Sequence, residues 1–245
     1  MMSIQQILQD QYAPITSEVG FIECNVNTAV KAFVNWQREV QIRNHVDINI
    51  HEVRGEFADK IKALLPLTSI EARRYLFLPT KSAWTAFFDN GWHGTDVFSV
   101  VSHLAMIIKC RGIRAVSIPH TKRKLPEGDL GRYGATIFEL YEGSKDKCNF
   151  LNIRRSVCSA DDGGRWRFDV GGDQLDFEQS EKYTAPRVQD RFTRDMLDEY
   201  LKYYGISLFD TSFYDSDTSA FLASKNGPRL AGSRDYSLDE VRSSF

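Results

Sequence analysis

The feature that most constrains the fold is a run of alternating segments in the second half of the chain. Apolar and polar residues alternate over residues 133–141, 149–157 and 165–170, and the residues between them, 142–144 and 161–164, are turn formers. Alternation with a period of two is typical of strands that bury one face. Strands joined by short turns pair antiparallel. The pattern therefore predicts an antiparallel meander.

The start of the chain predicts a β-α-β opening. Residues 19–24 and 46–50 are rich in apolar and β-branched side chains, as strands are. Between them, residues 28–42 place a stripe of apolar side chains, with Gln37 among them, at helical spacing. Asn27 is the expected N-cap of this helix, because asparagine accepts a backbone hydrogen bond at that position.

Three further helices and a hairpin complete the predicted elements. Apolar residues recur at helical spacing over 57–65, over 97–108 with Gly112 as the expected C-cap, and over 193–204. Aromatic residues over 75–88 flank a Pro-Thr-Lys-Ser turn, which indicates a hairpin. The predicted fold is α+β, with a β-α-β opening followed by a mostly antiparallel sheet and helices packed on one face.

The length and composition predict one domain followed by a tail. A chain of 245 residues is long enough to bury a core, and we expect a single α+β domain over residues 1–215. Residues 216–245 are rich in Ser, Asp, Gly and scattered charge, so we expect a poorly ordered tail that folding does not need. The alternative is a docked tail held by Leu238, Val241 and Phe245.

The charge balance argues against several classes of partner. Lys and Arg number 31 against 33 Asp and Glu, a formal net charge of -2, which lacks the basic excess that nucleic acids select. The opening MMSIQQILQD has no basic and apolar signal regions, and no run of about 18 apolar residues occurs. We therefore expect a cytoplasmic protein that contacts neither membrane nor nucleic acid.

Cysteine and histidine spacing predicts neither a metal nor a cofactor. The four cysteines, Cys24, Cys110, Cys148 and Cys158, form no C-x-x-C motif, so reduced thiols are expected. The five histidines lack the spacing of a zinc site. His103 follows Asp96 on the same helix by two turns, or about 10 Å, which is too far for both residues to bind one metal ion.

The turn over residues 90–96 is the most suggestive candidate site. Its glycines free the backbone just before a helix, where the unpaired N–H groups of Gly94 and Thr95 would hold an anion. Asp96 argues for the alternative, because a carboxylate at a helix start accepts those N–H groups itself and repels anions.

A second set of residues is predicted to contact a partner. Trp84, Trp92 and His93 lie on a hairpin and a loop, where recognition residues concentrate. Arg165 and Arg167 share one face of their strand and would form a positive surface for an acidic protein. The alternatives are that the tryptophans close the core and that the arginines form an ordinary solvated face.

Two stretches carry a resemblance to known proteins. Residues 84–99, WTAFFDNGWHGTDVFS, and 165–206, RWRFDVGGDQLDFEQSEKYTAPRVQDRFTRDMLDEYLKYYGI, resemble parts of an uncharacterised bacterial protein family, a domain of unknown function. That resemblance covers residues 15–215 and implies a shared fold. The D-R-F-T-x-x-x-L helix is similar in type to those of immunity proteins of bacterial toxin systems, which implies toxin neutralisation.

No motif in the chain names a reaction. The G-x-S-x-G elbow and the glycine-rich phosphate motifs do not occur. The leading hypothesis is a non-enzymatic protein that binds another protein, with toxin neutralisation as its specific form. The alternative is a small-molecule-binding or hydrolytic enzyme that uses Trp92, His93 and Asp96. A deep apolar cleft beside His93 would favour the alternative, and a flat aromatic surface the binder.

Overall fold

The computed structural model describes residues 6–123, 130–143 and 152–243. The strands are β1 (Glu18–Ile22), β2 (Asp47–Val53), β3 (Leu67–Thr68), β4 (Arg74–Pro79), β5 (Thr85–Asp89), β6 (Arg111–Ile118), β7 (Ala135–Glu142), β8 (Ile153–Asp161), β9 (Trp166–Gly172), β10 (Ala220–Asn226) and β11 (Asp235–Tyr236). The helices are α1 (Val26–Gln41), α2 (Phe57–Lys62), α3 (Val97–Ile108), α4 (Arg194–Tyr203) and α5 (Leu238–Arg242).

Nine of the described strands form one sheet in the order β2-β10-β4-β5-β1-β6-β7-β8-β9. Every neighbouring pair in it is antiparallel. The strands β7, β8 and β9 follow one another both along the chain and across the sheet, which confirms the predicted meander and the α+β class, and β6 continues the same order on the other side of β7. The remaining two strands, β3 and β11, pair beside this sheet.

The β-α-β opening is present, but its strands are not neighbours. Helix α1 connects β1 to β2, and β5, β4 and β10 lie between those two strands in the sheet. The N-cap is Asn25 rather than Asn27, since the Asn25 side chain accepts from the Thr28 N–H at 2.9 Å.

The helices lie on both faces of the sheet, so the prediction that they pack on one face is wrong. Side chains of α1 and α3 belong to one apolar cluster, and those of α2 and α4 belong to another. Neighbouring β5 residues point into different clusters, Phe87 toward α1 and α3 and Phe88 toward α2. A central strand that buries both faces requires helices on each side.

The segment after residue 215 is part of the sheet, so the predicted poorly ordered tail is wrong. Strand β10 lies between β2 and β4 and pairs with both. The buried Lys60 donates from Nζ to the carbonyls of Asp215, Ser216 and Thr218 at 2.6, 3.3 and 2.9 Å. Val241 is buried and Leu238 packs on the same cluster, while Phe245 lies outside the described residues.

Candidate functional site

The turn over residues 90–96 is organised by Asp89, the last residue of β5. Asp89 is 1% exposed. Its Oδ1 accepts from the Gly91 N–H at 2.8 Å, and its Oδ2 accepts from the Asp96 N–H at 2.9 Å. Burial raises the pKa of Asp89 to about 7, against the opposing effect of these two hydrogen bonds. The carboxyl therefore holds both ends of the turn.

Asp96 caps helix α3, as the alternative to anion binding predicted. Its carboxylate accepts from the N–H and the hydroxyl of Ser99 at 3.3 and 3.0 Å. The buried Thr95 hydroxyl donates to the Ile15 carbonyl at 3.1 Å. Gly94 has a φ of 119° and lies against Pro14. A carboxylate at the helix start and an engaged hydroxyl argue against an anion bound there.

The turn forms one wall of a cleft of about 650 Å³, which we call the Trp36–Trp92 cleft. Helices α1 and α3, the segment between β3 and β4, and Lys225 of β10 line the rest of the cleft. The lining residues are Trp36, Gln37, Thr68, Ser69, Ile70, Glu71, Ala72, Tyr75, Asp89, Gly91, Trp92, His93, Gly94, Asp96, Ser99, Val100 and Lys225.

Aromatic rings lie on two walls of the cleft. Trp92 is half-buried and stacks on Tyr236 of β11, with ring centroids 5.1 Å apart. His93 is exposed and its ring centroid is 4.2 Å from that of Trp92. On the α1 wall, Trp36 packs against His103 at 4.3 Å. Both tryptophans are therefore held in place by a second ring.

Trp84 does not belong to this site, so its assignment as a partner contact is wrong. The side chain is 3% exposed, and its Nε1 donates to the Tyr204 carbonyl at 2.8 Å. An indole that packs in the core and satisfies its N–H there has no surface for a partner. The alternative reading, that this tryptophan closes the core, is confirmed.

Gln37 is the most unusual polar group of the cleft. It is 6% exposed, and its Oε1 has no hydrogen-bond partner among the described residues. Buried polar side-chain atoms in proteins are nearly always paired. The side chain lies in the apolar stripe of α1 between Val34 and the end of the helix, and it faces the cleft rather than the core alone.

Lys225 of β10 supplies a positive charge to the cleft. Its Nζ lies 3.8 Å from Glu71 Oε2 and 5.2 Å from the ring centroid of Tyr75, and its side chain is largely buried. Burial lowers the pKa of Lys225. Glu71 is held more closely by Arg73, whose Nη1 donates to it at 2.8 Å. The ammonium is therefore only loosely paired within the protein.

The segment beside the cleft contains a strained residue, Ile70. Its φ is 69°, and the Glu71 N–H donates to the Ser69 carbonyl across it at 2.8 Å. A β-branched side chain in the left-handed region is rare and costs about 1–3 kcal/mol. Ile70 is nevertheless 61% exposed at the mouth of the cleft. Such strain concentrates at functional sites.

Arg165 and Arg167 are exposed, but they lie far from the cleft. Arg167 belongs to β9, the edge strand of the sheet, and β1, β6, β7 and β8 separate it from β5. Five strand spacings amount to about 24 Å. Arg167 also pairs with Asp162 at 3.2 Å. The structure does not bring these arginines together with Trp92 and His93, and their partner role stays a prediction.

Sequence reasoning missed most of the polar residues of the cleft. The sequence predicts a position in a buried helical stripe for Gln37 and a position in a poorly ordered tail for Lys225, whereas both line the cleft. The only available signal was a lone amide in an apolar stripe, which needs a partner wherever it is buried.

Other observations limit the chemistry of the molecule. Within residues 6–123, 130–143 and 152–243, no three His, Cys, Asp or Glu residues are grouped to hold a metal ion. None of the helices in those ranges combines the length and apolar character that a membrane span requires. Comparisons with protein families, with curated proteins and with solved structures find no match to this chain. The resemblances noted from its sequence therefore stay predictions.

Proposed function

We propose that this chain is a binding protein that holds a small organic ligand in the Trp36–Trp92 cleft. The observation that carries the proposal is the buried Gln37 Oε1, which lacks a partner among the described residues and lines the cleft. An unsatisfied buried acceptor costs about 1–3 kcal/mol, and a ligand that donates an N–H or O–H to it would offset that cost.

The dimensions and lining of the cleft support this function. Ligand pockets in proteins have volumes of about 300–1,000 Å³ and combine apolar walls with a few polar groups. The cleft of about 650 Å³ has tryptophans on two walls, an acceptor at Gln37 and an ammonium at Lys225. The matching ligand has a flat apolar body, a donor for Gln37, and an acceptor or negative group for Lys225.

The side chains of the cleft support binding better than hydrolysis. A hydrolytic nucleophile needs a base within hydrogen-bond reach. The Ser99 hydroxyl instead donates to Asp96, which caps the helix. Among the described residues, His93 forms no hydrogen bond with a cleft side chain. The cytoplasmic location and the absence of nucleic acid partners remain proposals drawn from composition.

A fragment screen with a cleft-filling variant tests this function. Ser99 is exposed and lines the cleft, so Ser99→Trp should fill the cleft and leave the core intact. Met106→Trp is the control, because Met106 is exposed near the other end of the same helix. A general fragment library is screened by ligand-observed NMR. Some fragments should bind wild type and Met106→Trp with the same affinity, and should bind Ser99→Trp at least tenfold more weakly. A library without any such fragment contradicts the proposal.

Protein binding at the mouth of the cleft is the second candidate, and toxin neutralisation is its specific form. Two apolar side chains favour it, because Ile70 is 61% and Leu230 is 56% exposed. Their loops lie side by side, since Gly232 is next to Ile70. A partner is first captured from the source organism with the wild-type protein and then purified. Ile70→Asp should weaken both the capture and the affinity for the purified partner, while Val40→Asp on α1 should change neither. Equal binding by both variants would exclude this surface.

A further inference from the structure

Two cysteines meet where the strands β1 and β6 begin to separate. Ile22 lies opposite Gly112 in the antiparallel pair, and one residue further the Glu23 N–H donates to the Arg111 carbonyl at 2.9 Å. The next residues along the two chains are Cys24 and Cys110. Their thiols lie close enough for each to shift the pKa of the other, and both residues are half-buried rather than enclosed.

Continued two residues beyond Ile22 and Gly112, the register of the pair places Cys24 opposite Cys110, a relationship that suits a disulfide. Opposite residues of an antiparallel pair have Cα atoms about 4.5–5.5 Å apart, and a disulfide spans Cα distances of about 4.4–6.8 Å. Cys24 precedes α1 and Cys110 follows the last turn of α3, so neither cysteine lies inside a helix or strand whose backbone a new bond would distort.

The two thiols differ in reactivity. The interaction between the two thiols raises the pKa of Cys24 and lowers the pKa of Cys110. Cys110 is therefore the first of the pair to form a thiolate, which is the nucleophilic form of cysteine.

We propose that Cys24 and Cys110 form a peroxide-reactive thiol pair that closes into a reversible intramolecular disulfide. The Cys110 thiolate attacks one oxygen of a hydroperoxide, the O–O bond breaks, and the other oxygen leaves as water or an alcohol after taking up a proton. Cys110 is then a sulfenic acid. Cys24 attacks that sulfur, the S–O bond breaks, the oxygen leaves as water, and the S–S bond forms. The two thiols supply the two electrons that reduce the peroxide.

The disulfide would connect the start of α1 to the end of α3, the two helices that form walls of the Trp36–Trp92 cleft. It would close a loop of about 85 residues, and cross-links of that size raise the melting temperature of a protein of this length by about 10 °C. This proposal does not depend on the identity of any cleft ligand.

The test uses the full chain, fully reduced and then treated with hydrogen peroxide. Trypsin places Cys24 alone in peptide 1–31 and Cys110 in the dipeptide 110–111, so their linked mass is diagnostic. We expect free thiols to fall from four to two, a linked 1–31/110–111 peptide, a melting temperature higher by about 10 °C, and full reversal by dithiothreitol. Thiol loss without that peptide, through Cys148, Cys158 or intermolecular dimers, overturns the proposal.

Two variants test the order of the steps. In Cys24→Ser the reaction should stop at Cys110 sulfenic acid, which dimedone labels. Cys158→Ser is the control, and it should form the linked peptide at the wild-type rate, because Cys158 is on β8. The rate of dimedone labelling is then compared between the two single variants. If Cys24 in Cys110→Ser is labelled as fast as Cys110 in Cys24→Ser, Cys110 is not the preferred nucleophile.

Discussion

Ending the chain at Asp217 should prevent it from folding. The truncation removes β10 from between β2 and β4, so the sheet is interrupted rather than shortened at its edge. Strand β2 then has no neighbour in the main sheet, and α1, which packs against β2, β4 and β10, loses part of its support.

The size of the effect follows from the contacts that are lost. Strand β10 has seven residues in register with β2 and four with β4. At about one net hydrogen bond per pair and about 0.5–1.5 kcal/mol each, these account for roughly 5–15 kcal/mol. Arg73 is 6% exposed and donates to the carbonyls of Lys225, Gly227 and Pro228, so it would lose these three acceptors and keep only its ion pair with Glu71. Domains of this kind are stable by only about 5–15 kcal/mol.

Circular dichroism melts and urea titration of both chains measure the effect. The chain ending at Asp217 should show no cooperative transition. A chain ending at Arg229 is the matched control, because it keeps β10 and loses only β11 and α5. It should fold with reduced stability. A cooperative melt of the shorter chain within about 5 °C of the full chain would refute the reasoning.

Three smaller perturbations test other parts of the structure. Because burial raises the pKa of Asp89 to about 7, the folded state holds its proton more tightly than the unfolded state. Stability should therefore fall by about 3 kcal/mol from pH 5 to pH 8 in wild type, and Asp89→Asn in urea titrations should lose that part of the pH dependence. Lys60→Met should lower the free energy of unfolding by about 3 kcal/mol, because three backbone carbonyls lose their donor. The control is Lys62→Met at an exposed position on the same helix, which should leave the urea midpoint unchanged. Trp84→Ala should lower the free energy of unfolding by about 3–5 kcal/mol, because it removes a large side chain from the core. The affinity of the folded variant for a fragment that binds the cleft should be unchanged in NMR titrations.

Local patterns in the sequence predicted the elements whose partners are close in the chain. The alternating segments predicted the meander of β7, β8 and β9, whose strands are neighbours both along the chain and in the sheet. Helix α3 begins and ends at the predicted residues, Val97 and Ile108. Its end differs in detail, because Lys109 in the left-handed region is the C-cap. Gly112 lies in β6, where a Cβ would come within 2.8 Å of Val101.

The placement of β10 could not be predicted in this way. Its partners β2 and β4 precede it by more than 140 residues, and a period of two gives no information about which strand lies beside which. The flanking Ser, Asp and Gly residues suggested disorder, yet the buried cations Lys60 and Arg73 bind the backbone of this segment. Long cationic side chains are usually exposed, so their role as backbone donors is not visible in the sequence.

The candidate site could not be predicted from the sequence for the same reason as the position of β10. Of its walls, only the turn over residues 90–96 has a local signature, and that turn was identified from its glycines. Gln37 on α1, the Ile70 segment and Lys225 on β10 come together because β10 inserts next to β4 and brings its last residues toward Tyr75. The strand that completes the sheet therefore also supplies the cation of the cleft. A Lys225→Met variant should separate the two roles, because it keeps the β10 backbone pairs and removes the charge that an acidic or acceptor-bearing fragment would need.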